Sequence, residues 1–533
     1  MSTTTKLKTV REVWPSKGMG AFPMDAGWAL VLVVAAGFFL MPGSDGRADG
    51  DFWWHLLYGQ WVIERHEIPA VDWLSWTMDG GAYTVTQWLG QVLIALGWKF
   101  AGWKGTAMVT WVATMTVVIM SYQVARREIS HSVIAAILAL AMTTPFWSSY
   151  ARPQIFGFAC MAILVWLVEK VKSSKSRQHD LAMVAATMIA WTNLHGSYVI
   201  GLVYLGVVIV SYLIDGAFNK GEDNKKKVMV LGGLLVMATL ATLVNPFGIG
   251  AWQYVVEISG LQTTKLGVIT EWNPTSLGTP QGSTFVLMSL AVLVAWGIGD
   301  VRPKVRDVVM FVGMFLVGMM AVRQTYFATV AMVPIAARCL TGQSMTSMLD
   351  TALPRKVGGA IWLGAIAVAL MVGQAQSNWR NRGVEHWQSQ VFPVSATQFL
   401  EKHDIKGRLF NEATAGGWMA FHGANKVFID GRLDLFGDRG FFDWYFTRQG
   451  APGWDKRLAQ TDPEIFVIQT QSPLTSLLMA SGKAAVVYSD TQYSVLLKRQ
   501  DRFAGLIEKL EIKEVPFEIF GPKGEVKPSL GGW

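Results

Sequence analysis

The chain has 533 residues, enough for several soluble domains, but 51% of them are hydrophobic, 24 are tryptophan and only 16% are charged. That balance excludes an ordinary soluble globule and points to a polytopic membrane protein. The net charge of +8 is carried mostly by lysines and arginines that bracket apolar runs, so positive-inside topology accounts for it and nucleic acid is not expected as a partner.

Residues 1–26 carry Lys6, Lys8, Arg11 and Lys17 ahead of an apolar run, and no small-residue cleavage site follows Leu40-Met41-Pro42. An uncleaved signal anchor with a cytoplasmic N-terminus is expected. Apolar runs long enough for the hydrocarbon core recur from Gly27 to about Gln374, so a transmembrane domain is expected over 27–374. Cys160 and Cys339 fall inside such runs, where buried thiols are ordinary and disulfides are not expected.

A large first outer loop, about 43–105, contains Gly50-Asp51-Phe52-Trp53-Trp54-His55 and runs on through Ile68-Pro69-Ala70-Val71-Asp72. The aromatic stretch Phe52 to Ile63 suits a helix lying in the membrane interface, capped by Asp51. The runs at 87–103 and 106–125 cannot both span if the basic N-terminus and Arg126-Arg127 share the cytoplasm. The first contains Gln87, Gln91 and Lys99, so it is assigned to a helix lying on, or re-entering, the outer face.

Basic clusters mark the cytoplasmic loops: Lys172, Lys175 and Arg177; Lys220 with Lys225, Lys226 and Lys227; Arg302, Lys304 and Arg306; Arg338, Arg355 and Lys356. The breaks between them, Arg152-Pro153-Gln154, Asn193-Leu194-His195-Gly196, Asn245-Pro246-Phe247-Gly248 to Glu271-Trp272, and Arg323-Gln324, then belong to the opposite side. The count is about 11–13 transmembrane helices, and the parity places Asp51, His55, Asp72, Arg152, His195, Glu271 and Arg323 at one outer face.

Ionisable groups at span ends are functional candidates. Asp51, at a helix start facing a cleft, can take a proton from an acceptor or hold a divalent metal ion, and His55 lies one turn later on the same helix face. Arg152, His195 and Arg323 can contact a phosphate. Each also has a plainer reading: a cap, a snorkelling arginine, a turn residue. No Gly-rich phosphate loop, CxxC, HExxH or GxSxG occurs, so nucleotide hydrolysis, zinc proteolysis and serine hydrolysis lack support.

After Gln374 the composition turns polar, and 375–533 is expected to form an extracytoplasmic α/β domain. Glu464 to Gln469 and Ala484 to Tyr488 alternate as strands, while Ser395 to His403 and Pro473 to Ser481 are predicted helices. Arg432, within Asp430-Gly431-Arg432-Leu433-Asp434, is expected to pair with a nearby acid.

Asp51-Phe52-Trp53-Trp54-His55 with Gly59, Pro69, Asp72 and Ser75, then Gln87-Trp88-Leu89, Arg152-Pro153-Gln154, the two Asn-led breaks, Glu271-Trp272-Asn273-Pro274 and Phe428-Ile429-Asp430-Gly431-Arg432 together resemble bacterial polytopic proteins related to the GT-C glycosyltransferases. That superfamily includes oligosaccharyltransferase catalytic subunits and protein mannosyltransferases. The resemblance implies a GT-C-like helical fold in the cytoplasmic membrane and a sugar donor carried on a polyprenyl phosphate. It further implies a catalytic acid at Asp51, with Asp72 second; beside them His55 is a catalytic candidate, and Glu271 is expected to support the acids or bind the donor phosphate or substrate. Gln87 stands where such proteins often have an acid, and this motivates the alternative of a non-catalytic structural or assembly subunit with protein partners. A transporter ranks last, because the charges gather at one face and no internal repeat is found.

Overall fold

The computed structural model describes residues 26–39, 49–129, 132–143, 151–173, 178–219, 222–265, 269–298, 302–340, 388, 391–423 and 425–513. The expected signal anchor's basic flank, the basic residues Lys175, Arg177, Lys220, Arg355 and Lys356, and the apolar run ending near Gln374 lie outside these residues.

The first part is helical: α1 (Ala26–Phe39), α2 (Gly50–Arg65), α3 (Trp88–Glu128), α4 (Ser132–Met142), α5 (Gln154–Lys172), α6 (Gln178–Leu194), α7 (Tyr198–Phe218), α8 (Glu222–Ala241), α9 (Gly250–Gly260), α10 (Gln262–Lys265), α11 (Pro280–Ile298), α12 (Val305–Met320) and α13 (Thr325–Cys339). Among the described residues four helices, α3, α5, α7 and α11, are long and apolar enough to cross a membrane. Large apolar side chains stay exposed on the outer sides of the bundle, such as Leu213, Val236, Leu287 and Leu316, a surface that suits hydrocarbon and not water.

The breaks fall where the sequence placed them. Asn193 bonds the carbonyls of Ile189 and Val244 through Nδ2 and accepts from Trp88 Nε1 at 3.0 Å, which ties the end of α6 to the end of α8 and the start of α3. Asn245 accepts from the Phe247 amide at 2.8 Å, closing an Asx turn after α8.

α3 is not one rod. Ala101 and Gly102 leave helical geometry, Gly102 at φ 55°. A Cβ on Gly105 would overlap the Gly97 carbonyl, so the limbs on either side are folded against each other. The segment expected to re-enter is therefore a separate limb, and Gln91 within it is buried and meets His55 Nδ1 at 3.2 Å.

The C-terminal part is α/β: α14 (Val394–Lys402), β1 (Leu409–Asn411), α15 (Ala413–His422), α16 (Leu433–Arg448), α17 (Trp454–Thr461), β2 (Ile465–Gln469), α18 (Pro473–Ala480), β3 (Ala484–Ser489), β4 (Tyr493–Lys498) and α19 (Asp501–Leu510). The sheet order is β1-β2-β4-β3, with β1 parallel to β2 and the other pairs antiparallel.

Two features of α2 correct the sequence reading. Its tryptophans do not form an exposed interfacial belt: Trp53 and Trp54 are buried, and Trp53 packs edge-on against Trp98, Trp103 and Trp418. The helix is a wedge between bundle and C-terminal domain, because an aromatic cluster of that size gains more from burial than from the interface. The N-cap is Asp49, whose Oδ1 accepts from the amides of Asp51 and Phe52 at 3.1 and 3.2 Å. Asp51 is thereby left free for other partners.

Candidate functional site

The site lies where α2 starts, α5 and α13 start, α6 ends and the segment after α10 arrives. Arg152, just before α5, is its centre. Its guanidinium contacts Asp49 through Nε, Asp51 Oδ2 at 3.0 Å and Glu271 Oε2 at 3.6 Å. Glu271 reaches on to Arg323 at 3.9 Å, and the Arg323 guanidinium covers the Trp272 ring at 4.2 Å. Three acids and two arginines, drawn from four distant segments, thus form one charge-paired cluster.

Asp51 is the acid in this cluster best placed for chemistry. Trp54 Nε1 donates to its Oδ1 at 3.1 Å. Burial pushes its carboxyl up to about 7; Arg152 pulls the other way, and Asp49 adds to the rise. Asp49 is also raised, by burial, against the pull of Arg152. Burial raises Glu271 too, but Arg323 and Arg152 together outweigh it and hold that carboxyl below its ordinary value. The three acids therefore differ: Glu271 is an anion at neutral pH, whereas Asp51 is poised between charged and neutral.

Above Asp51 lies the C-terminal domain. α15 packs on α2, and a Cβ on Gly431 would overlap Asp51 Oδ1. Position 431 thus requires a glycine for the close approach of its backbone to the acid. Nothing in the local sequence pattern signals this contact.

The two histidines play a background part. His195 Nδ1 bonds Ser197 Oγ at 2.8 Å and accepts from the Ser197 amide; burial, then Arg323 and Arg152, depress its pKa to about 3. His55, 3% exposed, lies tilted by 38° against Trp54 with ring centroids 3.6 Å apart and is held well below its ordinary pKa by burial first and then by Arg152. Both rings are neutral supports near the arginines. The expected catalytic part for His55 does not fit a buried ring whose Nδ1 is engaged by Gln91.

Asp72 is a correction. It lies outside the cluster and is 1% exposed. Arg432 Nη1 donates to Oδ1 at 2.6 Å, and Ser75 donates to Oδ2 from its amide at 3.0 Å and its hydroxyl at 2.5 Å. Arg432 also bonds Asp430 and Tyr58. Burial acts to raise Asp72, but Arg432 and Ser75 outweigh it and its carboxyl is held low. An acid with both oxygens engaged and no access to solvent is a clamp between the first loop and the C-terminal domain, not a supporting catalytic group. The expected acid partner of Arg432 is thus two acids.

A divalent metal at Asp51 does not fit this arrangement. The Arg152 guanidinium occupies the place between Asp49, Asp51 and Glu271 that a cation would need, and among the described residues no group of three or more side chains is arranged to hold a metal. The structure brings the expected residues Asp51, Arg152, Glu271 and Arg323 together and adds Asp49, for which the Asp49-Gly50-Asp51 spacing is the signal in the sequence.

No protein-family model and no curated protein matches the chain. Among solved structures it is similar to ArnT from Cupriavidus metallidurans bound to undecaprenyl phosphate, with 14% identity and a TM-score of 0.49 over 88% of this chain and 98% of that one. It is similar also to the archaeal oligosaccharyltransferase AglB from Archaeoglobus fulgidus in complex with an inhibitory peptide and a dolichol-phosphate, with 12% identity and a TM-score of 0.47 over 89% of this chain and 74% of that one. At these values the likeness assigns neither a reaction nor a residue role.

Proposed function

We propose that the chain is a membrane glycosyltransferase that moves a sugar from a polyprenyl-phosphate-linked donor to an acceptor on the outer side of the cytoplasmic membrane. The observation that carries this reading is the Asp51 carboxylate, poised near neutrality and held against Arg152, with Arg323 behind it.

In the proposed step Asp51 takes the proton from an acceptor hydroxyl or amide as its heteroatom bonds to the anomeric carbon of the donor sugar. The bond from that carbon to the phosphate oxygen breaks, and its electron pair leaves with the lipid phosphate. A base with a pKa near the working pH is well matched to such a transfer. Arg152 and Arg323, now paired with Glu271, supply the positive charge that stabilises the leaving phosphate when it enters and Glu271 yields its place. The apolar tail of the donor stays among the exposed leucines and valines of the bundle, so no nucleotide pocket is required.

Substitution of Asp51 by Asn, assayed for sugar transfer in vesicles supplied with lipid-linked sugar, tests the reading. A fall of at least about 100-fold is expected; full transfer by the variant removes Asp51 from the mechanism. A non-catalytic assembly subunit is favoured by one observation, the internal pairing of Arg152 with three acids. On that reading no transfer occurs even in the native chain, while the native chain is recovered in a stable protein complex.

A further inference from the structure

The helices that begin or end at the site have their other ends together as well. Lys172 closes α5, Lys227 stands in the second turn of α8 and Arg306 in the first turn of α12. These three cations, from three different helices, converge on one ring, Tyr212 of α7, at 5.9, 5.8 and 5.3 Å from its centroid. Tyr212 itself is 4% exposed.

Most acids at this end are held by other groups, and two are shared with these cations. Arg338 gathers Glu128, Glu169 and Asp307 at 3.5, 3.6 and 2.8 Å, and Asp215 accepts from Asn219 and Asn224. Lys172 shares Glu169 with Arg338, Lys227 meets the exposed Asp223, and Arg306 makes no ion pair among the described residues. Glu169 and Asp223 answer two of the three half-buried cations, so the three together keep one positive charge in excess, carried by Arg306, that an anion can join. A snorkelling residue, by contrast, would spread its charge outward to water.

The surroundings identify that anion. Beside the three cations the bundle exposes apolar side chains: Leu213 next to Tyr212, Met229 and Val230 just after Lys227, and Val308 just after Arg306. We infer that Lys172, Lys227 and Arg306 form a binding site for the phosphate headgroup of an acidic phospholipid, whose acyl chains lie along α7, α8 and α12. The site is separated from Arg152 by the length of α5, roughly 28 Å at 1.5 Å per residue, and it takes no part in the transfer step.

The test uses the full-length protein in nanodiscs containing phosphatidylcholine and phosphatidylglycerol, with retained lipids counted by native mass spectrometry. The native chain is expected to retain phosphatidylglycerol selectively. Lys227→Gln and Arg306→Gln should each lower its retention about fivefold, while Arg306→Lys, which keeps the charge, should restore it and so separates lost binding from lost folding. Equal retention by the native chain and the Lys227→Gln, Arg306→Gln double variant overturns the proposal. Release of phosphatidylglycerol by millimolar inorganic phosphate also overturns it, because the site would then recognise a free phosphate compound.

Discussion

Replacing Arg152 by glutamine removes the one group that touches Asp49, Asp51 and Glu271 together. The native cluster carries three negative and two positive charges when fully ionised; the variant carries three and one. Breaking a buried ion pair from one side costs about 3–5 kcal/mol. These side chains remain 16% to 37% exposed, so screening reduces the expected loss to about 1–3 kcal/mol at neutral pH. The sign with pH is fixed. Asp49 and Asp51 already have raised carboxyl pKa values in the folded chain, and losing Arg152 raises them further. The folded state then binds more protons than the unfolded one, so stability increases as the pH falls from 8 toward 5, by about 1.4 kcal/mol per pH unit for each extra proton. Denaturant unfolding followed by tryptophan fluorescence at several pH values in that window measures both effects. A variant with the native midpoint at pH 8 and the native slope with pH would refute the claim that this arginine holds the acids.

The other clamp gives the opposite pH signature. Asp72→Asn breaks a pair whose two side chains are 0% exposed and should cost about 3–5 kcal/mol. Because the Asp72 carboxyl is held low in the folded chain, its contribution is complete above the unfolded carboxylate value of about 4 and is lost as the pH falls through the folded one. The variant should therefore show a flatter acid limb in a midpoint-against-pH plot, while the folded fraction keeps its transfer rate; loss of the rate at full folding would return Asp72 to the site. Gly431→Ala places a methyl group on the Asp51 carboxylate and should reduce transfer by up to about 100-fold through displacement of the acid, with full activity as the contrary result.

Much of the architecture was legible because it is written locally. Asn-led, Gly- and Pro-containing breaks marked helix ends at Asn193 and Asn245, and alternation marked β2 and β3. Threading parity then gathered Asp51, Arg152, Glu271 and Arg323 at one end of the bundle, without any motif joining them. What was not legible depends on partners far along the chain. Asp51 and Asp72 each precede an aromatic residue in one loop, and only the position of Arg432, 360 residues from Asp72, assigns the second acid to a clamp. The tryptophans of α2 were expected at the lipid interface because composition records that they are amphipathic but not what covers them. Asp49 displaced Asp51 as the cap because either residue could accept the first amides, and the pull of Arg152 on both is a tertiary fact.

The contact of Arg432 with Asp72 also sets a timetable. During synthesis at about 5–20 residues per second, the first-loop acid emerges and then waits roughly 20–70 s for the residue that closes over it. Throughout that interval Asp72 lacks its clamp and Asp51 its roof, so a ribosome stalled anywhere before codon 432 leaves both acids of the first loop uncovered.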